Sequence, residues 1–413
     1  MTAVAERASL WRNRDFTLLW SGQVVSNLGA AVSGTAMPLL VLAMTGSAAD
    51  AGLVGAAGTL PHLIANLPAG PLVDRWNRRR IMVVAEIVAG LTLLAVPLAL
   101  WTGLLGPGAW SIGLLCAVAF VQGLCFVFFG LAERAALPVI VPAADLATAI
   151  AHNEARGRGA ALAGPPLGGL LFGLDRALPF LADGLSYLAA AGALVFLRKD
   201  LRTGAAQAAE PLWRSAGAGL RYVWRHPLIR AAILLIAVSN LVFQALVLVI
   251  VVLARQQGAS AGTVGFMLGL YSVGGLLGAL AAGRFHRHFA PRTVIVGINW
   301  VWAALLPLMI LTSHPLQIGA IGAACAFVGP LWNVVIHTYA SVLVPNELLG
   351  RVTSAAMTVS WGVMPIASLG AGFLLTAIGP IGSLGVLAGI MLAAAIAGAL
   401  SPAVRHAPPL PAA

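Results

Sequence analysis

Two carboxylate residues, Asp183 and Glu154, lie in stretches of the sequence that are otherwise apolar. An ionised carboxylate inside a membrane span is disfavoured by about 2.5–3.5 kcal/mol on insertion scales, so it should be neutralised, paired or hydrated. Asp183 has no basic residue within one helical turn, so we expect it to exchange a proton. The alternative, equally favoured, is that it only stabilises the start of its helix. Glu154 is four residues before Arg158, a spacing that allows pairing on one helix face. Both are proton-coupling candidates, whereas Glu86 is shallow in its run and is interpreted as structural.

A second concentration of charge is the stretch GPLVDRWNRRR, which runs from Gly70 to Arg80 between two apolar runs. Glycine has no side chain and permits close approach of helices. Asp74 can accept hydrogen bonds from arginines or from a helix N-terminus. Such contacts form only when two parts of the molecule come together, so this stretch predicts a conformational latch. The alternative is that the arginines only fix the orientation of the protein in the membrane. The latch residues are Gly70, Asp74, Arg75, Arg78 and Arg79.

Uncharged polar side chains recur at helical spacing within the apolar runs. In lipid such side chains turn towards a cavity or another helix. Each of them alone also fits hydrogen bonding between helices, but as a set they predict a central, largely apolar cavity without a strong fixed charge. The substrate-cavity candidates are Gln23, Asn27, Gln122, Asn240, Gln244, Trp332, Asn333, His337 and Trp361.

The composition shows which elements must position these residues. Of 413 residues, 60% are hydrophobic and 9% are charged, and the mean hydropathy is +0.94. Soluble domains carry roughly 25% charged residues, so lipid is the expected solvent. A membrane-spanning helix needs roughly 20 apolar residues. The sequence contains twelve such runs and predicts an all-α membrane protein with twelve transmembrane helices. The runs are 16–44, 50–73, 81–101, 110–131, 148–174, 177–197, 230–254, 262–283, 293–312, 316–342, 350–378 and 381–402.

A polar, basic stretch in mid-chain separates two sets of six runs. The matching motifs VPAADL (141–146) and VPNELL (344–349) precede the fifth and eleventh runs. This pattern indicates two six-helix pseudo-repeats about an axis along the membrane normal. The predicted regions are an N-terminal half (1–197), a cytoplasmic central loop that can form an amphipathic helix (198–229), a C-terminal half (230–402) and a cytoplasmic tail (403–413).

The distribution of basic residues predicts the orientation. If both termini are cytoplasmic, 20 of the 24 Lys and Arg residues lie on that side, as the positive-inside rule requires. They fall in short runs between apolar segments, so the formal charge of +11 does not indicate nucleic-acid binding. Arginine almost entirely replaces lysine in this Ala- and Gly-rich chain, a composition that suggests a bacterial genome rich in G and C. We therefore expect a bacterial protein, located in the plasma membrane. We expect it to be a monomer.

The fifth run contains the stretch GPPLGGLLFG, from Gly164 to Gly173. Its two prolines interrupt backbone hydrogen bonding, and its glycines leave one thin helix face. The pattern fits a gating role, and it also fits ordinary kinking and packing. The motif residues are Gly164, Pro165, Gly168 and Gly169.

These stretches together resemble a known family. GPLVDRWNRRR resembles the Gly-x-x-x-Asp-Arg-x-x-Arg-Arg loop of the major facilitator superfamily. LWRNRDFTLLWSGQVVSNLG (10–29) resembles the start of its drug:proton antiporter-3 group, which includes macrolide-efflux and enterobactin-exporter-like proteins. GPPLGG is similar to a fifth-helix motif of exporters. The resemblance extends to about residue 401, with two departures. Ala151 and Ala160 occupy places where the fifth-helix motif usually has glycine, and Ala30 follows Gly29 where many relatives have an acidic residue.

The resemblance implies a secondary transporter that exports a hydrophobic or amphipathic molecule of the drug, natural-product or siderophore class. Transport would proceed by alternating access with proton antiport. Import by symport and a non-transporting sensor or scaffold remain alternatives. The sequence shows no nucleophile–base set, phosphate-binding loop or metal cluster, so we expect neither enzymatic activity nor a cofactor. The expected partners are the lipid bilayer, a small-molecule substrate and protons.

Overall fold

Helices form the regular structure throughout the described part of the chain. The computed structural model describes residues 10–201, 212–288 and 291–405, and within these ranges it contains fifteen α-helices and three short 3-10 turns. A segment that crosses lipid must satisfy its backbone hydrogen bonds internally, and an α-helix does so. The observed architecture agrees with the all-α prediction.

Seven helices precede the central basic stretch, and we call them the N-terminal group. Within it, α1 packs on α6 and α7, while α4 packs on α5 and α7. The group consists of α1 (Arg14–Thr45), α2 (Ala48–Ile64), α3 (Asn66–Arg75), α4 (Arg78–Trp101), α5 (Ala109–Ile140), α6 (Leu146–Leu174) and α7 (Leu178–Val195).

One helix, α8 (Leu212–Arg225), lies within the predicted central loop and packs mainly on α13 (Asn346–Gly362). Its Val223 is buried in a cluster with Val352, whereas Arg221 and Trp224 are exposed. Burial of one face only is typical of an amphipathic helix. The division of the chain into four regions stays a prediction.

Seven helices follow, and we call them the C-terminal group. Here α10 packs on α12, and α14 packs on α9 and α11. The group consists of α9 (Pro227–Gln256), α10 (Ala261–His288), α11 (Pro291–Leu308), α12 (Pro315–Leu343), α13 (Asn346–Gly362), α14 (Met364–Leu400) and α15 (Pro402–Arg405).

Nine helical stretches of the described residues are long and apolar enough to cross a membrane. One of them, 351–400, is counted as a single stretch, although Gly379, with a φ of +68°, interrupts helix α14 within it. The predicted run 50–73 forms two helices, because Pro68 offers no N–H to the carbonyl of Ile64 and α2 ends there. The number of twelve spans stays a prediction.

Close packing within the C-terminal group depends on glycine. A Cβ at Gly274 of α10 would overlap the carbonyl oxygen of Ala323 on α12, and one at Gly278 would overlap that of Phe327. The two glycines are one helical turn apart and share a face. They therefore let the two backbones touch, as association of helices in lipid requires.

The N-terminal and C-terminal groups meet at the end of the bundle where α2 and α10 begin and α6 ends. A Cβ at Gly52 of α2 would lie 2.6 Å from the carbonyl oxygen of Ser368 and 2.9 Å from the Cα of Gly372 on α14. A Cβ at Gly265 of α10 would lie 3.1 Å from the Cα of Gly169 on α6. We call these two backbone contacts, α2 with α14 and α6 with α10, the glycine seams.

Candidate functional site

A cavity of about 420 Å³ lies between the N-terminal group and helices α9 and α14. Pockets for small molecules typically measure about 300–1,000 Å³. Among the residues that the structure describes, no Asp, Glu, Lys or Arg lines this cavity. Its wall is mainly apolar and includes Met37, Val54, Leu93, Phe126 and Val247.

Uncharged polar groups line the cavity from both helix groups. Gln122 of α5 donates from Nε2 to the carbonyl oxygen of Ala89 at 2.7 Å. Gln244 of α9 donates from Nε2 to Ser368 Oγ at 3.1 Å, and both of these side chains line the wall. Each amide oxygen retains acceptor capacity, so the wall offers hydrogen bonds without a fixed charge.

An aromatic contact joins the two groups beside the cavity. His62 of α2 lines the wall, and its ring centroid lies 5.4 Å from that of Phe126 and 5.5 Å from that of Trp361 on α13. Both contacts are edge-to-face, an arrangement that aromatic rings prefer. The cavity therefore has an aromatic edge that could contact the flat surface of an organic molecule.

The other predicted cavity residues occupy different places. Asn27 donates to the carbonyl oxygen of Gln23 at 2.7 Å, and Asn240 donates to that of Ser360 at 2.8 Å. Trp332 is buried, and its Nε1 has no partner among the described residues. The side chains of Asn333 and His337 lie outside the described residues.

Asp183 is buried inside the N-terminal group, with 1% of its surface exposed. Its carboxylate accepts hydrogen bonds from Ser33 and Ser186, the latter at 3.3 Å. A Cβ at Gly29 would lie 2.5 Å from Asp183 Oδ1, so the glycine makes room for the acid. Because Ser33 also lines the cavity, Asp183 is separated from the cavity by one hydroxyl group.

A second buried acid is Glu86 of α4, which the sequence interpretation treated as structural and did not include among the proton-coupling candidates. It is 3% exposed, and its Oε1 accepts a hydrogen bond from Gln23 Nε2 at 2.7 Å. Ser26 Oγ donates to the same carboxylate at 3.3–3.4 Å. Because α4 begins at Arg78, Glu86 lies about two turns inside the helix, and its interpretation as a structural residue stays a prediction.

Glu154 differs from Asp183 in its surroundings. Its side chain is exposed, and the expected pair with Arg158 is not formed among the described residues. The ion pair of this region joins Arg156 Nη1 of α6 to Glu133 Oε1 of α5 at 2.9 Å. Glu154 and Arg158 are both exposed, whereas Arg156 faces the inside of the N-terminal group.

The predicted latch segment is split between α3 and α4. Arg78 donates to the carbonyl oxygen of Ala135 on α5 at 3.1 Å, and Arg79 donates to that of Leu194 at 3.1 Å, so Arg79 caps the C-terminus of α7. Arg75 is exposed. Among the described residues, a Cβ at Gly70 would meet nothing within 4 Å, so the close approach that the sequence predicts there stays a prediction. The Asp74 side chain lies outside the described residues.

The fifth-run motif lies on α6 and faces two neighbours. A Cβ at Gly168 would lie 2.5 Å from the carbonyl oxygen of Val32 on α1, and Gly164 packs on Ala31 of the same helix. Gly169 and Pro165 face Gly265 of α10 in the other group. One motif therefore fixes α6 to its own group and forms a glycine seam with the other.

Comparison with known proteins identifies the family. The profile of a family described as transmembrane secretion effector, within the major facilitator superfamily, matches residues 7–407, and the chain belongs to that family. The multidrug efflux pump Tap of Mycolicibacterium fortuitum is 28% identical over 381 residues, which cover 88% of this chain and 89% of the pump. Macrolide efflux protein A of Streptococcus pyogenes is 26% identical over 172 residues, 40% of each chain.

A solved structure supports the same fold. The nucleoside transporter NupG has a TM-score of 0.75 at 10% identity, with 94% of this chain and 99% of that chain covered. At this identity the likeness shows the fold alone. The major facilitator fold and the resemblance to the drug:proton antiporter-3 group are confirmed, and the chain is a multi-pass membrane transporter and not an enzyme.

The cavity can be tested by thiol accessibility in a variant whose three cysteines, Cys116, Cys125 and Cys325, are replaced by alanine. We expect Gln122→Cys to react with a small charged thiol reagent at least about tenfold faster than Gln23→Cys. The reactive thiolate forms where water reaches the sulfur, and Gln23 is 4% exposed and does not line the cavity. Labelling rates would be measured by mass spectrometry in membrane vesicles, and equal rates would contradict the placement of the cavity.

Proposed function

We propose that this transporter exports a hydrophobic or amphipathic small molecule, of the drug, natural-product or siderophore class, by proton antiport. The observation that carries the proposal is the pairing of an apolar, uncharged cavity with the buried acid Asp183, connected through Ser33. An apolar wall favours lipophilic cargo because burial of the cargo removes apolar surface from water. The full-length similarity to a multidrug efflux pump supports the outward direction.

Alternating access is supported by how the two groups touch. The glycine seams hold them together at one end, where α6 ends and α10 begins. We propose that this end is extracellular, with both termini cytoplasmic. At the seams the contacts between the groups are van der Waals contacts of small residues, and such surfaces can separate without leaving broken hydrogen bonds. Rocking of the two groups would then expose the cavity to either side in turn.

The coupling step is assigned to Asp183. Within the described residues it has hydroxyl partners and no cationic partner. An ionised carboxylate there is disfavoured in the dry bundle, whereas a protonated one is tolerated. We propose that Asp183 takes up a proton when the cavity faces outward and releases it when the cavity faces inward. Because Ser33 bonds to Asp183 and lines the cavity, it would make the cavity wall sensitive to the protonation of Asp183.

The latch proposal concerns Gly70, Asp74, Arg75, Arg78 and Arg79. No described residue would contact a Cβ at Gly70, which supports an arrangement in which the latch contacts are not formed. We propose that closure at this end of the bundle would bring Asp74 to a partner in the C-terminal group, while Arg78 and Arg79 stay bonded to main-chain carbonyls of α5 and α7.

Export can be tested in a bacterium that lacks its main drug pumps. We expect expression of the chain to lower the accumulation of at least one lipophilic dye or antibiotic, and dissipation of the proton gradient to restore it. Accumulation would be measured by cell fluorescence against an empty vector. Energised uptake of a solute, without efflux of any tested compound, would favour an importer.

The latch can be tested with Asp74→Asn. We expect normal membrane insertion but a loss of about 90% or more of substrate flux, because the charge needed to stabilise the closed end is gone. Asp145→Asn, a carboxylate change in the turn between α5 and α6 at the same end of the bundle, is the matched control and should retain flux. Equal flux in both variants at matched protein level would indicate that the segment only fixes the orientation of the protein in the membrane.

Coupling can be tested in proteoliposomes with an imposed pH gradient and the substrate found in cells. We expect Asp183→Asn to lose about 90% or more of pH-driven flux, since a group that cannot ionise cannot exchange the proton. Glu154→Gln removes an exposed carboxylate and should retain flux. Loss in Glu154→Gln with full transport in Asp183→Asn would show that the wrong acid was assigned, and retention in both would place the coupling elsewhere.

A further inference from the structure

A second cavity, of about 660 Å³, lies between the start of α4 and the residues that follow α7. Basic side chains dominate its charged lining: Arg79 and Arg80 come from α4, and Arg198 and Lys199 follow α7. Asp200 is the acid that lines it. Four cations and one anion at one cavity make a positive site.

The cations of this cavity are available to a ligand. The side chains of Arg80, Arg198 and Lys199 make no hydrogen bond or ion pair with any residue that the structure describes. Arg79 is partly engaged, because its guanidinium donates to the carbonyl oxygens of Leu194 and Val195. Among the described residues, the site therefore has three cations without a partner beside a fixed one.

The backbone that carries two of these cations is anchored. Asp15 of α1 is buried, and its carboxylate accepts hydrogen bonds from the backbone N–H groups of Arg198 at 3.1 Å and Lys199 at 2.9 Å. The backbone N–H of Arg78 donates to the carbonyl oxygen of Leu201 at 3.4 Å, which ties the same segment to α4. Asp15 thus holds the main chain in place and leaves both side chains free.

An apolar surface leads away from this positive site. Val84 and Val195 line the cavity itself. Further along α4, Leu91 and Leu98 follow Val84 at seven-residue intervals, and all three side chains are more than half exposed. Leu185 of α7, which packs along α4, is exposed as well. A ligand that fits has an anionic head for the cavity and apolar chains for the helix surface.

We propose that this cavity binds the headgroup of an anionic phospholipid, with its acyl chains along α4 and α7. Basic pockets at the membrane surface of transmembrane helices recognise such headgroups. The phosphate accepts charge-assisted hydrogen bonds from Arg80, Arg198 and Lys199, which have no competing partner among the described residues. The bound lipid would contact Arg79 and thereby the α4 end of the latch segment.

The test is native mass spectrometry of the purified transporter with phosphatidylglycerol or phosphatidylcholine of matched acyl chains. We expect wild type to retain phosphatidylglycerol at least about tenfold more tightly than phosphatidylcholine. The triple variant Arg80→Gln, Arg198→Gln, Lys199→Gln should lose this preference. A matched control removes three other exposed arginines, through Arg12→Gln, Arg14→Gln and Arg134→Gln, and should keep it.

Three results would overturn the proposal. The first is equal affinity of wild type for the two lipids. The second is an unchanged preference in the triple variant, or an equal loss in the control, because either would show that net charge and not this cavity holds the lipid. The third is displacement of phosphatidylglycerol by inorganic phosphate at equal concentration, which would assign the site to free phosphate.

Discussion

The intolerance of lipid for charge and for unpaired polar groups determines most of this structure. Polar side chains inside the bundle bond to nearby main-chain carbonyls, as Gln122 does with Ala89 and Asn240 with Ser360. Buried charge is confined to a few places in the described residues. Glu133 is paired with Arg156, whereas Asp183 and Glu86 have hydroxyl and amide donors alone. Unlike Asp15, which two backbone N–H groups hold, Asp183 and Glu86 have neither a counterion nor a main-chain donor among the described residues, and proton exchange would give such acids a function.

The same constraint explains why glycine controls the contacts between helices. Lipid gives apolar side chains little reason to prefer another helix, so association depends on close backbone packing. The seams that join the two groups at Gly52 with Gly372 and Gly169 with Gly265 are of this kind. Among the described residues they hold the groups together at one end through backbone contacts and not through hydrogen bonds, so their separation breaks no such bond. A transporter needs such a contact, because both of its arrangements must be accessible.

The sequence predicted the helical fold and the family, because apolar runs of span length and short motifs are local properties. It predicted that Asp183 lies within an apolar span for the same reason, but not its contact with Ser33, which is 150 residues away. The contacts of Glu86 with Gln23 and Ser26 were not predicted either, because these partners are 63 and 60 residues away in the sequence. The basic cavity could not be predicted from the sequence, because Arg80 and Arg198 are brought together only when α4 packs on α7.

Infrared difference spectroscopy tests the central claim, proton exchange at Asp183, most directly. Purified transporter in lipid would be titrated with substrate, and the carboxylic-acid C=O stretch would be followed in wild type, Asp183→Asn and Glu86→Gln. The account predicts that substrate binding removes a carboxylic-acid band in wild type and in Glu86→Gln but not in Asp183→Asn. A wild-type band that persists unchanged on substrate binding, or a change that survives in Asp183→Asn, would contradict it.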